Sequence, residues 1–196
     1  MIRRLFSLAL LALLAAGLLA GCSGGGARKG GRRLPRTAED SLSDWRGRAD
    51  SIEAVLGSLE MVRGQFVQGA GTSLYAAWFD SAGVRVIHEE MSLGHMGSRS
   101  NRYYYEQGVP RLALESGMQP VDSALTLRRL ERAVLFDDLG RLVAAGKTLD
   151  SLKTWVASYE AEATLIHARQ LRTAARDARS SRGARAPLEG GTPAQP

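Results

Sequence analysis

Hydrophobic residues between positions 41 and 63 recur with the period of a helix. They are spaced three or four residues apart, which places them on one helical face, and they are Leu42, Trp45, Ala49, Ile52, Leu56 and Leu59. Ser41 with Asp44 suits a helix start and Gly64 suits a helix end. The pattern predicts an amphipathic helix that packs on the core of its own domain, with a coiled-coil partner as the alternative.

The period changes to that of β-strands over residues 72–147, where one motif occurs three times. Each copy has an aromatic-rich run, an acidic residue, a glycine two or three residues later and a second apolar run; the copies are 77–87, 103–113 and 133–143. The acidic residue can accept hydrogen bonds from turn amides, and the glycine can adopt the positive φ of a short hairpin. Three hairpins predict an antiparallel meander of about six strands. Asp137 and Asp138 are then turn residues rather than paired catalytic carboxylates.

A second helix is predicted to begin at Asp150. Its apolar face would consist of Leu152, Trp155, Val156, Tyr159, Ala163 and Ile166. Past Leu171 this face ends, while Arg169, Arg172, Arg176 and Arg179 continue at helical spacing, and residues 180–196 are expected to be disordered.

The order helix, strands, helix predicts one α+β domain over residues 41–171. It is an antiparallel meander flanked by an N-terminal and a C-terminal helix, and we expect both helices to cover the same face of the sheet. Residues 172–196 would form an Arg-rich helix end and a disordered tail.

The first 22 residues combine a short basic start with a long apolar run. Residues 1–4 contain two arginines, and residues 5–19 are almost wholly apolar. About 15 residues form roughly 23 Å of helix, less than the ~30 Å hydrocarbon core of a bilayer, so the run is typical of a signal peptide rather than a spanning helix. It ends in Leu19-Ala20-Gly21-Cys22, which reads aliphatic, small, small, cysteine.

This ending resembles the lipobox of bacterial lipoproteins, and the resemblance covers residues 1–22. It implies that residues 1–21 are removed as a signal peptide, with Leu19, Ala20 and Gly21 as the signal-peptidase recognition residues. It also implies that Cys22 carries a diacylglyceryl thioether and, commonly, a further acyl chain such as palmitate on its amino group. Two or three such chains make release from a membrane negligible. In that family Ser23, rather than an aspartate, favours the periplasmic face of the outer membrane over the inner membrane.

Residues 22–40 would form the lipidated cysteine and a flexible basic tether. Positive-inside bias alone would keep this basic segment in the cytoplasm, but a complete lipobox is the more specific signal. Removal of residues 1–21 lowers the formal net charge from +6 to +4, because only Arg3 and Arg4 are lost. That charge is too small to imply nucleic acid as a partner. The single cysteine excludes an intrachain disulfide and a zinc site built from several cysteines.

No catalytic group, metal site or cofactor is predicted. His88, Glu89, Glu90 and His95 lack the His-Glu-x-x-His spacing of a zinc helix and are interpreted as polar residues at a strand end. No Gly-x-Ser-x-Gly motif occurs, and His167, beside Arg169, is expected to be exposed.

Two sets of residues are candidates for ligand binding. Tyr103 and Tyr105 would share one face of a strand, with Tyr104 on the other, and the exposed side could stack on sugar rings or bases. Arg169, Arg172 and Arg176 could hold phosphates of a lipid or polysaccharide, with a solvated helix end as the alternative.

The sequence predicts a non-enzymatic, extracytoplasmic protein of the cell envelope, anchored to a membrane through Cys22, with a binding or structural role. Its further partner would be an envelope protein or an anionic glycan or lipid. One alternative is a polyanion-binding module that uses the stripe from Arg169 to Arg179. The other is an envelope hydrolase that uses His88 and Glu89.

Overall fold

The computed structural model describes residues 37–68, 71–94, 97–122 and 125–185. The predicted signal peptide, Cys22, His95 and the tail beyond residue 185 lie outside the described residues. In chain order the elements are α1 Ala38–Glu53, a 3-10 turn Leu56–Ser58, β1 Glu60–Gln68, β2 Gly71–Asp80, β3 Gly83–Ser92, β4 Ser98–Glu106, β5 Val109–Pro120, β6 Leu127–Phe136, β7 Leu142–Leu149, β8 Leu152–Thr154 and α2 Ser158–Arg185.

The strands of the described residues form one antiparallel sheet in which each strand pairs with the next along the chain, from β1 to β8. The predicted α+β meander with a helix at each end is confirmed, but the sheet has eight strands instead of about six. The two missed strands lie where helices were expected. β1 begins before Gly64, the predicted helix end, and β8 lies just after Asp150, the predicted helix start.

The three predicted hairpins are confirmed, and their turn chemistry is as expected at two of them. The Asp80 carboxylate accepts hydrogen bonds from the amides of Ala82 and Gly83 at 2.7 and 3.0 Å. The Asp137 carboxylate accepts from the amides of Leu139 and Arg141 at 2.9 and 2.8 Å. In the middle hairpin, Glu106 instead forms an ion pair with Arg111 at 2.9 Å. The turn glycines Gly83, Gly108 and Gly140 all have positive φ.

Helix α1 begins earlier than its predicted start at Ser41. Thr37 is the N-cap, and it forms a capping box with Asp40 in which each side chain bonds the other residue's amide, at 3.0 and 3.1 Å. The predicted apolar face is confirmed for four of its six residues, whereas Leu56 lies in the 3-10 turn and Leu59 follows it, because the helix ends at Glu53 rather than before Gly64. Four of its members are buried against Val86, Tyr104, Leu112 and neighbouring strand residues, and they are Leu42, Trp45, Ala49 and Ile52.

The predicted apolar face of the second helix is wrong. Four of its members are largely exposed, and they are Leu152 (66%), Trp155 (75%), Tyr159 (72%) and Ile166 (46%). The buried face is instead made mostly of alanine, through Ala157, Ala161, Leu165, Ala168, Leu171 and Ala175. Small side chains let a helix lie close to a sheet. Here this close packing decides which face of the helix is buried, rather than the hydrophobicity of the individual residues. Beyond Leu171 the predicted Arg-rich helix end is helical, and the helix continues to Arg185, so residues 180–185, which were expected to be disordered, are helical as well.

The two helices cover opposite faces of the sheet, so the expectation of a single covered face is also wrong. Tyr103 and Tyr105 pack with Ala168 and Leu171 of α2, whereas Tyr104 packs with α1. Successive strand residues point to opposite faces, and a run of three buried tyrosines therefore needs cover on both. No helix among the described residues is long and apolar enough to cross a bilayer.

Candidate functional site

A row of polar side chains crosses the sheet beneath α2. Residues paired in register across antiparallel strands point to the same face, and the pairs Tyr75–Glu89, Glu89–Asn101, Asn101–Glu115, Glu115–Arg132 and Arg132–Lys147 continue from β2 to β7. We call these residues the polar row: Tyr75, Glu89, Asn101, Glu115, Arg132 and Lys147. Contacts of Glu89, Arg132 and Lys147 with α2 show that the row faces this helix.

Glu89 is fully buried and is hydrogen-bonded from four directions. Its donors are Ser73 Oγ at 2.5 Å, Asn101 Nδ2 at 3.0 Å, Tyr103 Oη at 3.4 Å and His167 Nε2 at 2.8 Å. The other ring nitrogen of His167, Nδ1, lies 2.8 Å from Gln68 Oε1. Both ring nitrogens of His167 thus lie within hydrogen-bond distance of a side-chain oxygen.

The pKa of Glu89 reflects two opposing effects. Burial alone would raise it, but the hydrogen bond and charge of His167, followed by the hydrogen bonds from Ser73 and Asn101, lower the Glu89 pKa below its ordinary value. The carboxylate is therefore held in its ionised form.

The other half of the row is a network of ion pairs. Glu115 forms ion pairs with Arg99 Nη1 at 3.0 Å and with Arg132 Nη2 at 2.5 Å. Glu160 of α2 bonds Lys147 Nζ at 2.8 Å and Arg132 Nη1 at 3.4 Å. We call these five residues the charged group. Burial would raise the pKa of Glu160, but hydrogen bonds from Lys147 and the Ala157 amide lower it.

A cavity of about 350 Å³ lies between the sheet and the first half of α2, and both halves of the row reach it. From the Glu89 side its wall includes Asn101, Tyr103 and His167; from the charged group it includes Arg99, Glu115, Arg132 and Glu160. Met91, Ala113 and Val134 add apolar surface, and Tyr159, Ala163 and Thr164 of α2 lie on the helix side. Polar groups that converge on a partly apolar cavity of this size are typical of a small-molecule site.

The tyrosines are not exposed as expected. Tyr103, Tyr104 and Tyr105 are all buried, and of the three only Tyr103 is part of this cavity wall. Tyr105 donates to the Ala168 carbonyl of α2 at 2.8 Å, and Tyr104 donates to Glu53 of α1 at 2.7 Å. Burial raises the pKa of each of the three phenols. They tie the sheet to its two helices.

His88 and Glu89 do not form a common site. They are adjacent in β3, so their side chains point to opposite faces. His88 Nε2 lies 2.8 Å from Glu53 of α1, and its ring packs on Trp78 with centroids 4.7 Å apart. The partner of Glu89 is His167, which was expected to be exposed but has only 12% of its side chain accessible. These two residues are 78 positions apart, and no local signal in the sequence connects them.

The arginines of α2 are not among the residues that line this cavity. Arg169 lies beside the turn at Gly140, Arg172 is half-buried beside Gly108, and Arg176 is exposed. Arg179 forms an ion pair with Glu60 at 2.6 Å and stacks over Phe79. The predicted stripe thus follows hairpin turns and the edge strand, and at least Arg179 already has an anionic partner within the chain.

Within the part of the chain that the structure describes, no group of three or more His, Cys, Asp or Glu side chains is placed to hold a metal ion. Compared with protein-family models, with curated proteins and with solved structures, the chain gives no match. The features that bear on function are the lipobox-like residues Leu19 to Cys22 in the sequence and the geometry beneath α2.

Proposed function

We propose that this chain is a lipid-anchored protein of the cell envelope whose folded domain binds a small polar molecule without converting it. The observation that carries the proposal is the polar row, buried beneath α2 around a cavity of about 350 Å³. The lipobox-like ending at Cys22 supports the anchor, and residues 23–36 would connect it to the capped start of α1 at Thr37.

The burial of this row is costly, and the fold alone does not require it. Each buried ion loses several kcal/mol of hydration, and well-packed apolar residues in place of a buried ion pair are often neutral or stabilising. The neighbouring core of this sheet is built in that apolar way, from residues such as Val86, Ile87 and Leu112. A ligand that uses the charges gives a reason for their presence.

The hydrogen bonding favours binding over catalysis. Ser73 donates its hydroxyl proton to Glu89, but Ser73 is buried and is not part of the cavity wall, so a molecule in the cavity does not contact its hydroxyl. Glu89 already accepts from four donors and has a lowered pKa, which makes it a weak general base. Both nitrogens of His167 have partners as well. Groups held in this way can orient a ligand, whereas proton transfer would require these bonds to break.

Material bound in the cavity tests the binding function. The full chain is expressed in a diderm bacterium and purified from membranes in mild detergent, and the small molecules it releases are identified by mass spectrometry. Ala163→Trp places a large ring in the cavity wall, while Glu162→Trp, on the adjacent exposed residue outside that wall, is the matched control. We expect a molecule that is retained by the wild type and by Glu162→Trp and lost from Ala163→Trp. Equal release from all three proteins would contradict binding in this cavity.

The anchor is tested separately with Cys22→Ala and, as a matched control, Ser23→Ala. We expect Cys22→Ala to lose processing and to leave the detergent phase, because the thioether has no sulfur on which to form. Unchanged fractionation of Cys22→Ala would contradict lipid anchoring and leave the cavity experiment unaffected.

A further inference from the structure

We infer that the molecule bound beneath α2 carries a single carboxylate, which Arg99 and Arg132 receive. This inference rests on the proposed binding function and names the chemical class of its ligand.

The charge balance of the site is the first observation. Among the described residues, the ion pairs of the charged group join three cations, Arg99, Arg132 and Lys147, to two carboxylates, Glu115 and Glu160. Their side chains are between 9% and 29% exposed. Across the cavity, the Glu89 carboxylate has its own partner in His167, at 2.8 Å. One positive charge therefore remains without a matching anion in a mostly buried group, and burial of an uncompensated charge is strongly unfavourable.

Unused donors on the two arginines are the second observation. Arg99 makes its ion pair with Glu115 through Nη1, and Arg132 uses both Nη1 and Nη2 for Glu160, Thr164 and Glu115. The Nε atom of each is buried and has no hydrogen-bond partner within the described structure. A guanidinium donates from two adjacent N–H groups to the two oxygens of a carboxylate. Arg99 is the better placed of the two for such a bidentate bond, because its Nε and Nη2 make no described contact, whereas Nη2 of Arg132 already contacts Glu115 and Thr164.

The other residues of the cavity wall indicate the chemistry of the rest of the ligand. Met91, Ala113 and Val134 offer it an apolar wall. Asn101, Tyr103 and His167, which bond Glu89, form the polar part of the wall. One excess positive charge matches a monoanion better than a phosphate ester, which carries close to two charges at neutral pH. The site therefore suits a small organic acid with an apolar body.

Calorimetric titration of the full chain in mild detergent tests this inference. The probes are acetate, butyrate and benzoate, each beside its uncharged amide, and inorganic phosphate. We expect butyrate or benzoate to bind at least tenfold more tightly than its amide, because a charge-assisted pair is lost in the amide. Arg99→Gln should reduce carboxylate binding at least tenfold. The carboxylate affinity of Arg99→Lys, which keeps the charge but not the planar guanidinium, should lie between those of the wild type and Arg99→Gln.

Arg85→Gln is the matched control, since Arg85 is about as exposed as Arg99 and pairs with Asp80 at a hairpin turn outside the cavity wall. It should bind the acids as the wild type does. The melting temperature of each variant, measured in parallel, separates loss of binding from loss of folding, and Arg99→Lys serves in place of Arg99→Gln if the latter is unfolded.

Three outcomes would overturn the carboxylate assignment. They are equal affinity for acids and amides, tighter binding of phosphate than of any acid, and no binding of any probe. In each case the proposed binding function is tested separately, by whether the wild type carries a molecule that Ala163→Trp lacks.

Discussion

At the scale of single residues, two neighbours in β3 show how burial changes the contribution of a histidine–glutamate pair to stability. His88 meets Glu53 of α1, and Glu89 meets His167 of α2, each with nitrogen and oxygen 2.8 Å apart. The first pair is about one-quarter exposed, while Glu89 is fully buried. Exposed ion pairs contribute about 0–1 kcal/mol, whereas removal of one partner from a buried pair costs about 3–5 kcal/mol.

Substitution of the two histidines should therefore have unequal effects. We expect His167→Ala to lower the free energy of unfolding by about 3–5 kcal/mol, because it leaves the Glu89 carboxylate buried without its main partner. His88→Ala should lower the free energy of unfolding by about 1 kcal/mol, since Glu53 stays accessible to water and keeps its hydrogen bond from the Tyr104 hydroxyl. Urea denaturation at pH 7 measures both values. Equal losses would contradict the role assigned to Glu89 burial.

The lowered pKa of Glu89 also predicts how stability depends on pH. Its folded pKa lies below the ordinary value of 4.5, so its contribution is fully present above that value and is lost as the pH falls through the folded pKa. We expect the free energy of unfolding to decrease from pH 6 to pH 3, and the slope to be shallower in Glu89→Gln. Some slope should remain in the variant, because the pKa values of Glu160 and Asp137 are lowered too. Identical slopes would show that Glu89 is not stabilised as an anion.

At the scale of elements, the alanine face of α2 sets how closely the helix approaches the sheet. Ala168 and Ala175 are completely buried, and the Tyr105 hydroxyl reaches the backbone carbonyl of Ala168. Larger side chains at these positions would push the helix away and open both the core and the polar row.

We accordingly expect Ala168→Leu to destabilise the fold by about 1–3 kcal/mol through overpacking. Ile166→Ala, on the exposed side of the same helix, should change stability by less than about 0.5 kcal/mol. Thermal unfolding followed by circular dichroism compares the two. A larger effect at Ile166 would indicate that the face first predicted from hydrophobicity is the buried one.

Elements governed by nearby residues were predictable from the sequence. The hairpins at Asp80 and Asp137 follow from an acidic side chain and a glycine within a few positions, and the α1 face follows from large apolar residues at helical spacing. The start of α2 was not predictable in this way. Leu149 and Leu152 flank a turn in which Asp150 and Ser151 both have positive φ, so a short hairpin forms where hydrophobic spacing alone favours a helix.

At the scale of the whole molecule, the two ends of α2 cover different sides of the sheet: its last turns lie on the side opposite to the one that its first turns cover. Ala175 packs on the core formed by β1 to β5, Arg179 pairs with Glu60, and Arg182 donates to the Met61 carbonyl at 3.0 Å. The helix thus connects the charged group at one side of the sheet with β1 at the other.

Two truncations test this role of α2. We expect a chain that ends at Leu171 to lose its cooperative unfolding transition, because Val62 and Phe79 lose part of their cover. A chain that ends at Arg185 should unfold like the full protein, since it keeps every contact described for the helix. Urea denaturation followed by tryptophan fluorescence distinguishes them. A stable, cooperative chain ending at Leu171 would contradict the role assigned to the last turns.

The candidate site was the least predictable part of the molecule. The polar row takes one residue from each of six strands, and its partners His167 and Glu160 come from α2. The sequence places Glu89 beside His88, which suggested one site, but strand geometry separates them by the thickness of the sheet. Only strand register brings Glu89, Asn101, Glu115 and Arg132 into one line.

By itself the sequence determined the local features of this protein: the three hairpins, most of the face of α1 and the alternation of the three tyrosines. These depend on backbone preferences and on residues within a few positions of each other. The tertiary structure decided which face each helix covers, which charges meet and where a cavity remains. Those outcomes depend on register and close packing between segments far apart in the chain, and no local pattern encodes them.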